Sequence, residues 1–275
     1  MKRIEFTQEQ INEILEMYNN NYTQKTIGEK FGVSRSVIKR ILNSQNITIR
    51  RTTQKYKGNY DIFENIDTSE KAYWLGFIAA DGCNYWREKN ASIIISIHQK
   101  DLNHLIKFKE FCQTNAEIKC FEQDWGFSNK TPMCKIILNS KKMSEDLINK
   151  GIIPNKSLVL EPPKIKEEFY LPYILGYFDG DGSINKTSQY NNYSLSIQGT
   201  KEILEWINKI LNISTHLEKR TNNNTNNYYI RCGGTNKPYL ILKKLYNSCD
   251  IHLDRKYEIY KTLETVVLNG NFKNY

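Results

Sequence analysis

Apolar positions near the start of the chain recur at helical spacing. Thr7 can cap a helix in which Gln10 holds the capping-box position and Ile11, Ile14, Leu15 and Tyr18 line one face. A second helix capped by Thr23 carries Ile27 and Phe31, Gly32 breaks it, and Ser34 opens a third with Val37, Ile38, Ile41 and Leu42 facing inward. Two short helices joined through Phe31-Gly32-Val33-Ser34 have the spacing of a helix-turn-helix. Over residues 46–68 no helical period persists, so this stretch reads as a tether.

From residue 69 onward the pattern is written twice at a constant offset of 100. Residues 73–82 (YWLGFIAADG) and 173–182 (YILGYFDGDG) are apolar helix-like runs that each stop at Asp-Gly. A hairpin follows the first, at 83–86 and 91–98, in which Ile93, Ile95 and Ile97 alternate with Ser92, Ile94 and Ser96. Tyr193, Leu195 and Ile197 alternate with Ser194, Ser196 and Gln198 in the second copy. Period-2 alternation gives each strand one apolar face against helices and one mostly polar face. Helices at 101–112 and 201–211, strands at 118–122 with 134–138 and 216–220 with 228–232, and helices at 144–150 and 239–246 complete the halves. Each half therefore reads αββαββα, an α+β arrangement of two four-stranded antiparallel sheets with helices on one side. A further helix is expected at 257–268. The expected domains are 1–48 (helix-turn-helix), 49–68 (basic linker), 69–163 (first repeat) and 164–275 (second repeat with the last helix).

Composition adds a core and a partner. With 39% apolar and 12% aromatic residues the chain is not a disordered polyelectrolyte. Its net charge of +9 favours a polyanion, and residues 1–60 hold eleven Lys or Arg against five Glu, or +6 of that total. Arg35, Ser36, Lys39 and Arg40 lie opposite the apolar face of the third helix, where a recognition helix meets the major groove. Arg50, Arg51, Lys55 and Lys57 suit a tether that tracks phosphates, though a solvated linker has the same composition. The six cysteines form no C-x-x-C pair and the four histidines are scattered, which argues against zinc and for reduced thiols. No apolar stretch can span a bilayer, so a soluble, cytoplasmic protein is expected.

Small residues in the two runs (Gly76, Ala79 and Ala80; Gly176 and Gly180) would let the helices pack closely and bring Asp81 and Asp181 together. Two carboxylates at helix carboxyl ends repel unless cations intervene, and Mg²⁺ is the natural hard cation. Lys156 and Lys256 keep the same offset of 100, as do His98 and Gln198. The lysines could orient water or offset transition-state charge, whereas His98 reads equally as a sheet-end histidine. Ser92, Ser96, Lys186, Ser194 and Ser196 are placed to touch a duplex.

The two Asp-Gly runs resemble the paired signatures of a single-chain LAGLIDADG homing endonuclease, over roughly residues 69–265. The resemblance implies pseudo-twofold αββαββα repeats with saddle-shaped sheets on double-stranded DNA, a monomer, and magnesium-dependent cleavage leaving short 3′ overhangs. Two or three ions would sit at the helix interface, with Mn²⁺ or Ca²⁺ as substitutes. It makes Asp81 and Asp181 the metal-binding acids aided by the carbonyls of Ala80 and Gly180, with Lys156, Lys256, Gln198 and His98 around them. Ala79 stands where the family motif has an earlier Asp, as Asp179 does in the second run. A bacterial or phage-encoded intron-homing enzyme is expected, with an organellar origin also open. A non-cleaving DNA-binding regulator or a splicing maturase on the same scaffold is the other class.

Overall fold

In the computed structural model, residues 6–20, 22–47, 49, 56–87, 90–124, 126, 130–187, 192–214, 216–219 and 225–270 are described. The chain divides into two compact units, 1–57 and 58–275.

The first unit holds α1 (Gln8–Asn19), α2 (Gln24–Lys30) and α3 (Arg35–Ser44) around Ile14, Tyr18, Ile27, Ile38 and Leu42. Thr7 and Gln10 close the capping box at α1, and Thr23 caps α2 by accepting the Thr26 N–H. Gly32 turns between α2 and α3 at φ +66°, a conformation that favours glycine. Ser34 sits at the α3 N-cap without capping it, because its hydroxyl pairs with the Ser36 hydroxyl 2.8 Å away.

The second unit runs α4 (Ser69–Ala80), β1 (Gly82–Arg87), β2 (Asn90–His98), α5 (Leu102–Phe111), β3 (Lys119–Gln123), β4 (Thr131–Asn139) and α6 (Lys141–Asn149). It repeats as α7 (Tyr170–Asp181), β5 (Gly182–Lys186), β6 (Tyr193–Gly199), α8 (Lys201–Leu211), β7 (Glu218–Lys219), β8 (Tyr228–Gly234) and α9 (Asn236–Tyr246), followed by α10 (Asp254–Asn269). Both sheets are antiparallel with the same order, β1-β2-β4-β3 and β5-β6-β8-β7. Ile93, Ile95 and Ile97 are buried while Ser92, Ile94, Ser96 and His98 are half-buried on the open face, and β6 repeats this alternation.

Residues 58–68, read from sequence as linker, belong to this unit. Ile62, Phe63 and Ile66 are buried, and Phe63 meets Phe111 with ring centroids 5.7 Å apart. Three apolar side chains without a period leave no helical or strand signature, yet they still bury. The thiol expectation is also corrected, since Cys120 and Cys134 lie opposite each other in the β3–β4 pair and form a disulfide. Cross-strand register, which spacing alone does not give, brings them together.

Candidate active site

The motif helices α4 and α7 cross backbone against backbone. A Cβ on Gly76 would lie 1.9 Å from the Tyr173 carbonyl oxygen, and one on Gly176 would lie 1.9 Å from that of Tyr73. The equality of the two contacts reflects pseudo-twofold symmetry. Residues 72–79 and 172–179 are buried throughout, so no amphipathic stripe exists and each helix is enclosed on all sides. A Cβ on Gly180 would meet the Ala80 Cβ at 2.4 Å and Asp81 Cγ at 3.4 Å, which places the two carboxyl ends side by side.

Asp81 and Asp181 stand at these ends. Burial raises the pKa of both, and the charge of Asp81 is the next cause for Asp181, which is pushed up to about 6. Both residues nevertheless expose surface to solvent. The two facts agree for a carboxyl on the floor of a concavity, which reaches water on one side while protein displaces it on the others. Lys156 and Lys256 pull in the opposite direction on both acids.

The lysines lie beneath the floor. Lys256, 2% exposed, donates to the carbonyls of Phe178, Asp179 and Gly182 at 2.6, 2.8 and 2.6 Å. An ammonium has three donors, so all are taken and none remains for water or phosphate. Burial lowers its pKa to about 8, which keeps it mostly charged at neutrality. Lys156 makes one such bond, to the Ala80 carbonyl at 3.2 Å, and retains two donors among the described residues.

Asp179, fully enclosed, accepts the Tyr73 hydroxyl at 2.6 Å and the Leu253 N–H at 2.7 Å, tying α7 to α4 and to the segment before α10. Tyr73 in turn meets His104 Nε2 at 3.1 Å. Ala79 offers the first helix no equivalent, which explains why the earlier motif acid is structural: it points into the core. Tyr177, where the first helix has Phe77, sets its hydroxyl beside Asp181 and donates to the Gln198 carbonyl at 3.1 Å. Sequence reasoning missed Tyr177, although the Phe/Tyr difference between the copies was its signal.

Of the residues nominated for DNA contact, Ser92, Ser96, Ser194 and Ser196 share the open sheet faces, and Lys186 is exposed at the end of β5. Ser92 donates to Asn139 Oδ1 at 2.7 Å, and the hydroxyls of Ser196 and Ser183 are 2.8 Å apart. Lys135 and Arg231, which the sequence did not single out, pair in register with Ser96 and Ser196 and lie against the Phe121 and Tyr229 rings. In the first unit Arg35, Ser36, Lys39 and Arg40 are exposed on α3, with Arg35 Nε donating to Gln24 Oε1 at 3.2 Å. Lys57 is exposed, while Arg50, Arg51 and Lys55 lie outside the described residues.

Among the described residues no group of three or more His, Cys, Asp or Glu side chains forms a metal cluster. The donor set at the helix ends is two carboxylates with the nearby Ala80 and Gly180 carbonyls. All are hard oxygens, and the Asp181 carboxyl is held up first by burial and then by the charge of Asp81. This set suits a divalent cation such as Mg²⁺ that keeps several waters.

Two αββαββα repeats joined through such a helix pair define the fold of single-chain LAGLIDADG meganucleases. The structure superimposes on a meganuclease, I-SmaMI bound to uncleaveable DNA, with a TM-score of 0.50 at 14% identity, over 71% of this chain and 89% of that one. A point-mutant form of I-SmaMI gives 0.51 at 14% identity over 72% and 90%. Residues 168–251 match the LAGLIDADG-like domain family and residues 5–45 match the helix-turn-helix domain of resolvase. The chain thus carries a LAGLIDADG domain in its second repeat and a resolvase-type helix-turn-helix at its start. No curated protein matches it. Among the described residues, no helix is long and apolar enough to cross a membrane.

Proposed function

We propose that this protein is a site-specific, divalent-metal-dependent endonuclease of double-stranded DNA that acts as a monomer. The observation that carries the reading is the convergence of Asp81 and Asp181 at two helix ends held together by glycine contacts. Asp81 and Asp181 would hold Mg²⁺ with the Ala80 and Gly180 carbonyls, and bound metal supplies Lewis-acid stabilisation of the phosphodiester and a water of lowered pKa. The remaining roles fall to the chain. Lys256 fixes the α7 end without touching substrate, whereas Lys156 keeps donors for a water or phosphate oxygen. Tyr177 sets its hydroxyl beside the Asp181 carboxyl while donating to the Gln198 carbonyl. The open sheet faces, through Ser92, Ser96, Ser194 and Ser196, would lie along the groove, and closely spaced sites on the two strands would leave short 3′ overhangs. Intron homing and a cytoplasmic setting belong to the same proposal.

The test is cleavage of a supercoiled plasmid library with randomised inserts in Mg²⁺, followed by sequencing of the ends. One family of sites with staggered ends is expected, and binding without nicking would instead point to a non-cleaving regulator.

The helix-turn-helix should lengthen the footprint. Deleting residues 1–50 is expected to weaken binding and flatten the fall of log K with log salt, since phosphate contacts release counterions, while metal-dependent cutting persists. Unchanged affinity and salt slope in a gel-shift series would contradict this.

The raised carboxyl pKa values predict a trade-off. A carboxyl at about 6 when folded and near 3.8 when unfolded binds more protons in the folded state between those pH values. Stability from Asp181 is therefore full below about pH 3.8 and is lost as pH rises through about 6. In EDTA at pH 7, Asp181→Asn is expected to melt higher than wild type, with a flatter dependence of melting temperature on pH between 4 and 6. An Asp181→Asn protein that melts lower at pH 7 would show that burial and the Asp81 charge do not disfavour the carboxylate.

A further inference from the structure

Beside Asp81 lies a cleft of about 310 Å³ whose lining includes Ser96, His98, Lys100, Asp101 and Arg255. It joins the two repeats, because Asp101 precedes α5 and Arg255 is in the first turn of α10. Arg255 Nε donates to both Asp101 carboxylate oxygens at 3.0 Å. Those bonds use only Nε, and the two terminal Nη groups have no partner among the described residues. His98 Nδ1 accepts the Lys100 backbone N–H at 3.1 Å. That bond assigns the ring proton to Nε2, so His98 offers a donor there rather than a base.

The second half has no such arrangement. At the offset of 100, His98 becomes Gln198, Lys100 becomes Thr200 and Asp101 becomes Lys201, while Arg255 corresponds to Asn155. Thr200 is buried and donates its hydroxyl to the Leu160 carbonyl at 2.5 Å, and Asn155 turns the chain at φ 57°. The cationic groups therefore flank one acid of the pair.

An ion pair acting only as a staple between repeats explains little of this. The Asp101 side chain is 8% exposed and needs a cation, but that of Arg255 is 44% exposed, so its guanidinium reaches water beyond the pair. What the pairing does achieve is orientation, since a guanidinium fixed through Nε presents its planar fork in one direction. That fork matches the oxygens of a phosphodiester.

We propose that Arg255, set by Asp101, binds a backbone phosphate of one DNA strand beside Asp81, with His98 Nε2–H as a second donor, so that the two strands are cut through unequal sites. The inference rests on the nuclease reading and names a substrate-binding residue within it. It also gives His98 a role that the sequence left open.

The experiment uses the full chain and a supercoiled plasmid carrying the sequence recovered from the library selection, with run-off primer extension on each strand of the nicked circles to follow the two nicks separately. Arg255→Ala is expected to slow one strand about a hundredfold and the other less than about threefold, so that nicked circles accumulate. His98→Ala should slow the same strand, and Gln198→Ala the opposite one. Arg255→Lys keeps the ion pair but lacks the fork, so it should show the same bias at smaller size, and it serves if the alanine variant does not fold. Equal slowing of both strands, no slowing, or slowing by Arg255→Ala of the strand that Gln198→Ala affects would overturn the inference. Wild-type protein that leaves both strands intact would overturn the nuclease reading and the inference with it.

Discussion

Gly176→Ala, like Gly76→Ala, is expected to destabilise the second unit by about 3 kcal/mol or more and to abolish double-strand cleavage. The added methyl would sit 1.9 Å from a backbone carbonyl oxygen, with further backbone atoms at 2.8–3.0 Å. A backbone carbonyl inside a helix cannot swing aside as a side-chain end can, so the helices must separate. Alanine gains up to about 1 kcal/mol of helix propensity over glycine, which is too small to offset this overlap. Separation also moves Asp81 from Asp181, so activity should fall further than stability. Gly233→Ala is the control, since its Cβ would meet only the Tyr193 oxygen at an ordinary 3.8 Å. Urea unfolding read by circular dichroism measures both changes, and a Gly176→Ala protein as stable as wild type would contradict the helix contact.

The second large effect separates the two lysines. Lys256→Met should cost about 3 kcal/mol, as expected when one partner of a buried charged network is removed. Lys156→Met should cost nearer 1 kcal/mol, the worth of one hydrogen bond. Two considerations oppose each other at Lys256. Its lowered pKa shows that burying the ammonium is unfavourable, and methionine relieves that cost. Against it stand three short carbonyl bonds at the negative end of α7 and the nearby charges of Asp179, Asp81 and Asp181. Methionine offers those carbonyls no donor in a site that is largely enclosed, so the loss of the three bonds dominates. Equal melting temperatures for the two variants would show that the counted carbonyl bonds do not set the difference.

Much of this was legible in the chain because it was written twice. The offset of 100 identified α4 with α7, and period-2 alternation in β2 and β6 gave the open and buried faces. Thr7 and Thr23 announced their helices through caps that act within three residues. What stayed hidden depends on distant groups meeting. Lys256 is read from sequence as a catalytic cation, but whether its donors are free depends on carbonyls more than 70 residues away. Cys120 and Cys134 needed strand register, and the Asp101–Arg255 pair spans 154 residues. The broken symmetry at Phe77/Tyr177 and Ala79/Asp179 was visible as difference, but its meaning needed the enclosed positions of the partners.

The central claim is that Asp81 and Asp181 form one composite site for cutting both strands. It is tested most directly by incubating wild type, Asp81→Asn and Asp181→Asn with the selected target in Mg²⁺ and mapping every nick on both strands. Wild type should cut each strand once at staggered positions, and each variant should bind the target yet make no double-strand break. A variant that still cuts both strands at the wild-type rate would contradict the account.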